Sequence, residues 1–391
     1  MNHYKKQLLF VFSFCIALIM MQSCWKDKSL RDKDFGDLQI DISPSFGIPL
    51  ANLHFTGGDV VKQLNKSDST NIFHLEYDPS QRDLCILVYD RANLQIVLPQ
   101  VLPYDTAVAF SINYFTDLRI DGLTIKEVLM NLNIDNGYTE DITFNVKKID
   151  YEDKNGNIKP ITSSNLNNSN VIKAAPSDGK FTNTQLFPSY LVVSDPFDII
   201  FNCTSLHFDF GLNYRPLQNI SKINLNPILK IPAYFAIENL LRYDTVAANL
   251  KDAGVIFTDT AGVSLTNVTV YLTIHNGLPM EATLQVYFAD ENHQIIDSLQ
   301  TKEMLIRSAE IDPTTFLLRN PTSAPFEISM SKERFKKIEN AKYLIFKERF
   351  KSNNGRDVKI FKSNTFGVRL SIKADTKINS SMQDINDITN D

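Results

Sequence analysis

Residue types able to do chemistry are sparse along this 391-residue chain, and their spacing carries none of the usual marks of catalysis. Beyond the first 25 residues the histidines are His54, His74, His207, His275 and His293, and no two stand at the short spacings of metal ligands. There is no Walker loop, no dinucleotide fingerprint, no Gly-x-Ser-x-Gly elbow and no His-Glu-x-x-His. A pair of acids assembled only on folding, as in glycosidases, would leave no local trace. The expectation is a protein that is not an enzyme, with no cofactor and no metal. Cys85 and Cys203 lie in strand-like runs, Leu84-Cys85-Ile86-Leu87-Val88 and Ile200-Phe201-Asn202-Cys203, and read as buried thiols. Export would permit them to pair, but spacing does not report their separation. Cys24 is different, because it stands where a small-residue cleavage site would end.

The stretch before Cys24 explains it. Lys5 and Lys6 precede an apolar run from Leu8 to Met21, which ends in Gln22-Ser23-Cys24. About 14 residues at 1.5 Å each are too short to cross a hydrocarbon core of roughly 30 Å. The leader, residues 1–23, resembles a bacterial lipoprotein signal, which implies that Cys24 becomes the lipid-bearing first residue and ties the chain to a membrane. Residues 24–37 follow as a charged tether of mixed sign, from Trp25 and Lys26 to Asp34. Outer-membrane lipoproteins of the Bacteroidota often carry charges at this place. The implied address is the outer membrane, with the periplasmic and cell-surface faces both open.

Without the leader the chain has 38 basic and 45 acidic residues, a net charge of about −7, which is a poor basis for binding nucleic acid. An apolar fraction of 43% suffices for substantial cores.

The body repeats itself. Val128-x-Met130-x-Leu132-x-Ile134-Asp135-Asn136-Gly137 is echoed 140 residues later by Val268-x-Val270-x-Leu272-x-Ile274-His275-Asn276-Gly277. Tyr104-Asp105-Thr106 matches Tyr243-Asp244-Thr245, and Ile48-Pro49 matches Ile231-Pro232. Ile172-Lys173-Ala174-Ala175 parallels Ile306-Arg307-Ser308-Ala309. These blocks divide the chain into two related copies, residues 38–217 and 218–378, with an extra hairpin or loop in the first between Asn52 and Leu102 and a loose acidic tail at 379–391. Alternation of Val128, Met130, Leu132 and Ile134 with polar neighbours has the period of a half-buried strand. Asn-Gly then suggests a tight reversal, since both residues tolerate positive φ. Pro279 favours a crossing to a facing sheet in the second copy. The fold class expected is mostly β, two tandem β-sandwich-like domains with one or two short helices, over Asp59 to Leu64 and over Lys332 to Asn340 behind a Ser331 cap.

Binding signals are weaker. The basic tract Lys332 to Lys362 could face anionic headgroups or acidic glycans, but its alternation spreads the charge over more than one surface. Tryptophan, the usual sugar platform, occurs once, at Trp25. Tyr104, Tyr114 and Tyr243 could substitute.

The leader, the Ile-Pro and Tyr-Asp-Thr blocks, and Asn-Gly-Leu-Pro leading into Leu284-Gln285-Val286-Tyr287-Phe288 together resemble uncharacterised Bacteroidota cell-envelope lipoproteins with tandem β-sandwich-like domains. The Asn-Gly-Leu-Pro block also resembles LEA14-like β-sandwiches. Asp followed by Ser or Thr and then a small or aliphatic residue resembles the O-glycosylation acceptor of exported Bacteroidota proteins, and occurs at Ser69, Thr106, Thr245, Thr260 and Ser298. The resemblance implies a binding or structural module of the envelope, with a protein or glycan partner. Two other readings are a fimbrilin-like adhesin subunit, and a lipid-handling β-wrap that would enclose an apolar tunnel.

Overall fold

The computed structural model describes residues 39–42, 45–64, 73–90, 94–96, 104–111, 122–161, 169–176, 180–187, 189–193, 203–213, 222–248, 250 and 263–381. Cys24, Ser69, Tyr114 and Thr260 lie outside them. The described residues are mostly β, in two sandwiches joined by a small sheet. None of their helices is long and apolar enough to cross a membrane.

The two sandwiches share one strand order. In the first, a sheet runs Ile158–Pro160, Ile142–Asp153, Cys203–Asn213, Tyr104–Ser111, with Ser169–Ile172 also on Ile142–Asp153. Its facing sheet runs Thr182–Gln185, Leu129–Asn136, Ile223–Pro232, Leu84–Tyr89, His74–Asp78. In the second, Ile295–Ser298, Met280–Ala289, Tyr343–Ser352 and Leu240–Ala247 face Thr322–Met330, Val263–Asn276, Thr365–Ser381 and Ser45–Thr56. Each interior is filled by alternate residues of its strands, such as Leu344, Phe346 and Phe350 along one and Ile223, Leu225, Leu229 and Ile231 along another. Pro227 also points inward on a central strand, where it would remove a ladder bond. It sits where the neighbouring strand is interrupted, between Leu94–Ile96 and Leu84–Tyr89.

Two segments lie across the expected boundary between residues 217 and 218. Ile223–Pro232 is a central strand of the first sandwich, paired with Leu129–Asn136. Gln39–Ile42 and Ser45–Thr56 belong to the second, both paired with Thr365–Ser381, the last of the described strands. That 17-residue strand would otherwise present an open edge. The first sandwich covers the corresponding edge with Leu84–Tyr89, part of the extra hairpin expected between Asn52 and Leu102. Ile48-Pro49 and Ile231-Pro232 therefore occupy different places, one on an added strand and the other on a central one. Tyr104-Asp105-Thr106 and Tyr243-Asp244-Thr245 are also out of step by one residue. Tyr104 is opposite Leu212, which faces Phe144, whereas Arg242 is opposite Glu348, which faces the matching Leu284. A one-residue slip reverses the face a side chain occupies.

Asn-Gly has another meaning than a tight hairpin. In both sandwiches the chain crosses there to the facing sheet, and the Asn side chain, wholly buried, bridges the crossing. Asn136 accepts from Tyr138 N at 2.9 Å and donates to the Glu140 and Lys173 carbonyls at 3.1 and 2.9 Å. Asn276 accepts from Leu278 N and donates to Met280 and Arg307, each at 2.9 Å. Gly277 has ordinary φ, and a Cβ there would stand 3.0 Å from the Thr365 carbonyl oxygen, so close backbone approach explains the glycine.

The sandwiches meet at a three-stranded sheet of Thr124–Ile125, Tyr234–Ala236 and Val358–Lys359. Bonds from Cys85 N to Ile360 O at 3.0 Å and from Ala233 N to Cys85 O at 2.8 Å extend it. The first helix, Gly57–Gln63, is wedged there behind a Thr56–Asp59 capping box, with Val60 and Val61 buried. Gly57 N bonds to Asn364 O at 2.7 Å, and a Cβ on Gly57 would overlap the Phe361 carbonyl. A helix at Lys332–Ile338 is capped by Ser331 as expected. Cys85 is a buried free thiol, and burial pushes its pKa up to about 12.

One polar cluster lies inside the second sandwich. Glu348 is fully buried, and neither carboxyl oxygen has a hydrogen-bond partner among the described residues. Arg242, opposite it in the ladder, is held by Asp244 and covers the Phe55 ring at 4.0 Å. Burial, and then the Asp244 charge, push the Glu348 acid up to about 9.

Two tests follow from these interiors. Asn276→Ala strands one amide and two carbonyls and lowers stability by roughly 2–4 kcal/mol, read as a lower urea midpoint; an unchanged midpoint would remove the bridging role. Glu348 binds its proton more tightly folded than unfolded, so its contribution is complete below the unfolded pKa near 4.5 and is lost as pH rises through about 9. Glu348→Gln should therefore raise the midpoint at pH 9 more than at pH 5, and an equal effect at both would refute the assignment.

Candidate functional site

The residues with chemical potential come together only across strands, and three groupings result. The first is on the outer face of the first sandwich. Opposition of Ser205 and Glu152, with His207 two residues along, makes a Ser-His-Glu cluster. Ser205 Oγ lies 2.8 Å and Glu152 Oε2 3.3 Å from the same nitrogen, His207 Nε2. A relay needs serine on one ring nitrogen and carboxylate on the other, so this geometry is a surface hydrogen-bonded cluster instead of a nucleophilic triad. His74 has similar surroundings, 3.1 Å from Glu76 and 3.8 Å from Asp90.

The second grouping is the basic tract. Its members separate onto a helix and a strand and find carboxylates: Arg334 with Asp297 at 3.0 Å and Lys347 with Glu303 at 3.1 Å. That is the solvated, dispersed arrangement expected from its alternation.

The third is a hollow of about 450 Å³ on the outer face of the second sandwich, lined by Asn52, His54, Thr273, His275, Ser323, Gly367 and Arg369. Backbone register builds it. His54, Gly367, His275 and Ser323 form one row across four strands. Asn52, Arg369 and Thr273 form the next. With strands 4.7–4.9 Å apart, the two histidines stand about 10 Å apart across the glycine. Ser323 Oγ is 3.3 Å from His275 Nδ1 and fixes that ring. Arg369 is exposed and makes no ion pair among the described residues.

The first sandwich has the same row, filled. Gln95, Asn224, Asp135 and Asn183 are opposite one another in the same order. Gln95 donates to Asn224 at 3.2 Å, Asn183 to Asp135 at 2.7 Å, and Asn226 to Asp135 at 3.0 Å. The hollow exists because Gly367 stands where the other sheet has Asn224. Nothing in the fold demands that glycine. Its φ is not positive, and a Cβ would sit 3.7 Å from Leu53 O and 3.9 Å from His54 Cδ2, ordinary contact distances. Glycine within a strand weakens it, so here the sheet forgoes stability for an open surface.

His275 alternates with the buried Leu272 and Ile274 and is exposed on the outer side of its strand. The sequence reading missed the partnership with His54, because these residues are 221 positions apart and meet only through the pairing of Ser45–Thr56 with Thr365–Ser381. Among the glycosylation acceptors, Thr245 is exposed in mid-strand on a sheet edge and Ser298 is half-buried. Thr106 lies within Tyr104–Ser111, so neither Thr106 nor Thr245 is in a turn. Tyr243 is exposed on the outside of its sheet, and Cys203 begins a strand.

No protein-family model matches the chain, and no curated protein matches it. Among solved structures, it is similar to a protein of Parabacteroides distasonis ATCC 8503 described as secreted, with 13% identity over 84% of this chain and 99% of that one, at a TM-score of 0.43. The tandem CBM22-1-CBM22-2 domain of Paenibacillus barcinonensis Xyn10C is 9% identical over 84% and 98% of the two chains, at a TM-score of 0.19. Discoidin II of Dictyostelium discoideum is 10% identical over 85% and 98%, at 0.18. At these scores the likenesses carry no argument about ligand or partner.

Proposed function

We propose that the chain is a non-enzymatic lipoprotein of the outer membrane, tied by lipid on Cys24, whose second sandwich presents a binding surface to an envelope partner. The observation that carries the binding role is Gly367, a sterically unnecessary glycine that opens the row between His54 and His275. The anchor rests on the leader sequence alone. Buried side chains fill both interiors among the described residues, which counts against the lipid-wrap alternative.

Gly367→Asn, which copies the first sandwich, is the direct test. It should leave stability unchanged or raise it by up to about 1 kcal/mol, read from the urea midpoint, while abolishing retention of the unlipidated Cys24→Ala chain on isolated cell envelopes stripped of endogenous lipoprotein. Retention equal to that of the Cys24→Ala chain alone would remove the hollow as the binding surface. For the anchor, a Cys24→Ala chain that also carries Gly367→Asn should move from the membrane to the soluble fraction, and membrane association equal to that of the Gly367→Asn chain would defeat it.

A further inference from the structure

We infer that the hollow recognises a carboxylate-bearing sugar, a uronate unit within an acidic polysaccharide, with Arg369 as its anchor. This rests on the reading that the hollow is the binding surface, and it adds the chemical class of the occupant.

Arg369 lies in the row next to Gly367, between Asn52 and Thr273. Lys373, on the same outer face of this strand, is paired with Asp375 at 3.0 Å, and Asp375 also accepts from Ser45 at 2.7 Å. Arg369 has no such partner among the described residues, so a planar fork of donors faces the hollow uncompensated. That geometry suits a carboxylate, which accepts two parallel bonds. The other polar groups suit a ring bearing hydroxyls: Asn52 and Thr273 beside the guanidinium, and two imidazoles that can each donate or accept across the gap.

The face continues in the same chemistry. Tyr271 is one two-residue step, roughly 7 Å, from Thr273 on the same side of its strand, and 37% of its surface is exposed. A neighbouring sugar of a chain seated in the hollow would lie over that ring. The carboxylate opposite Tyr271, Glu327, is on the far side of the tyrosine from the hollow. An acidic peptide fits less well. The hollow opens through outward side chains on the sheet face, not through backbone groups along a strand edge, so a peptide adding as a strand would not engage it.

The test is affinity electrophoresis of the full-length chain in detergent, through gels containing polygalacturonate, alginate, fully methyl-esterified pectin or dextran sulfate. Polygalacturonate or alginate should retard it, and the methyl ester should not. Arg369→Gln should weaken that retardation about tenfold, and Gly367→Asn should abolish it. Indifference to both uronate polymers overturns the inference, as does Arg369→Gln binding like the unaltered chain, or equal retardation by dextran sulfate, which would signify charge alone. Retardation by the methyl ester that Gly367→Asn abolishes would overturn the acidic class and keep the hollow. Retardation by polygalacturonate that survives Gly367→Asn would overturn the hollow itself.

Discussion

The pairing of Ser45–Thr56 with Thr365–Ser381, from opposite ends of the described chain, is the constraint on which the second sandwich depends. Ser45–Thr56 covers the edge of Thr365–Ser381 through eleven backbone pairs. It also brings in what that sheet lacks. His54 reaches the outer face and supplies one wall of the hollow. Phe55 goes inward, stacks on Phe366 at 5.1 Å and lies under Arg242. Thr56 ends the strand by capping the helix that wedges between the sandwiches. Three successive residues thus serve surface, core and junction, because a strand alternates faces and a cap stops it.

Much of this was legible locally. Alternation along Val128–Ile134 and its echo gave the strands, Ser331 gave the second helix, and the block from Ile172 with its counterpart from Ile306 marked equivalent carbonyls that the buried Asn side chains bind. Pairing was not legible, because nothing in the spacing of Ile48 or Ile231 states which strand lies beside it. The Ile-Pro match therefore misplaced two strands. The Tyr-Asp-Thr match erred by one position, enough to exchange inside for outside. The hollow was hidden for the same reason: a histidine, a glycine and a second histidine have no common signature when their proximity is created by register across three strands.

The two sandwiches agree where bonds are buried and differ where they are not constrained. Asn136 and Asn276 make the same three bonds at the same crossing, since losing them would leave backbone groups unpaired in the interior. The outer rows share positions without sharing chemistry, one a closed ladder of amides and a carboxylate, the other opened at Gly367. Glu348, at the rung where the first sandwich has Leu212, is a third difference and lies within a core. Scaffold and site are thus separable in this molecule, and the site is carried by a few outward positions of one sheet.

The strand that completes the second sandwich also sets how the molecule would carry load. Gln39 is paired with Ser381 at one end of the sheet, and His54 with Gly367 at the other. Tension between Gln39 and the surface around His54 and Gly367 would run along the strands, so the rungs of Ser45–Thr56 would resist together, in shear. A pull between Gln39 and Ser381 would meet them one at a time, as a zipper opens. The sheet is mechanically strong along the line from Gln39 to the hollow and weak across that paired end, and the first sandwich lies outside that line of force.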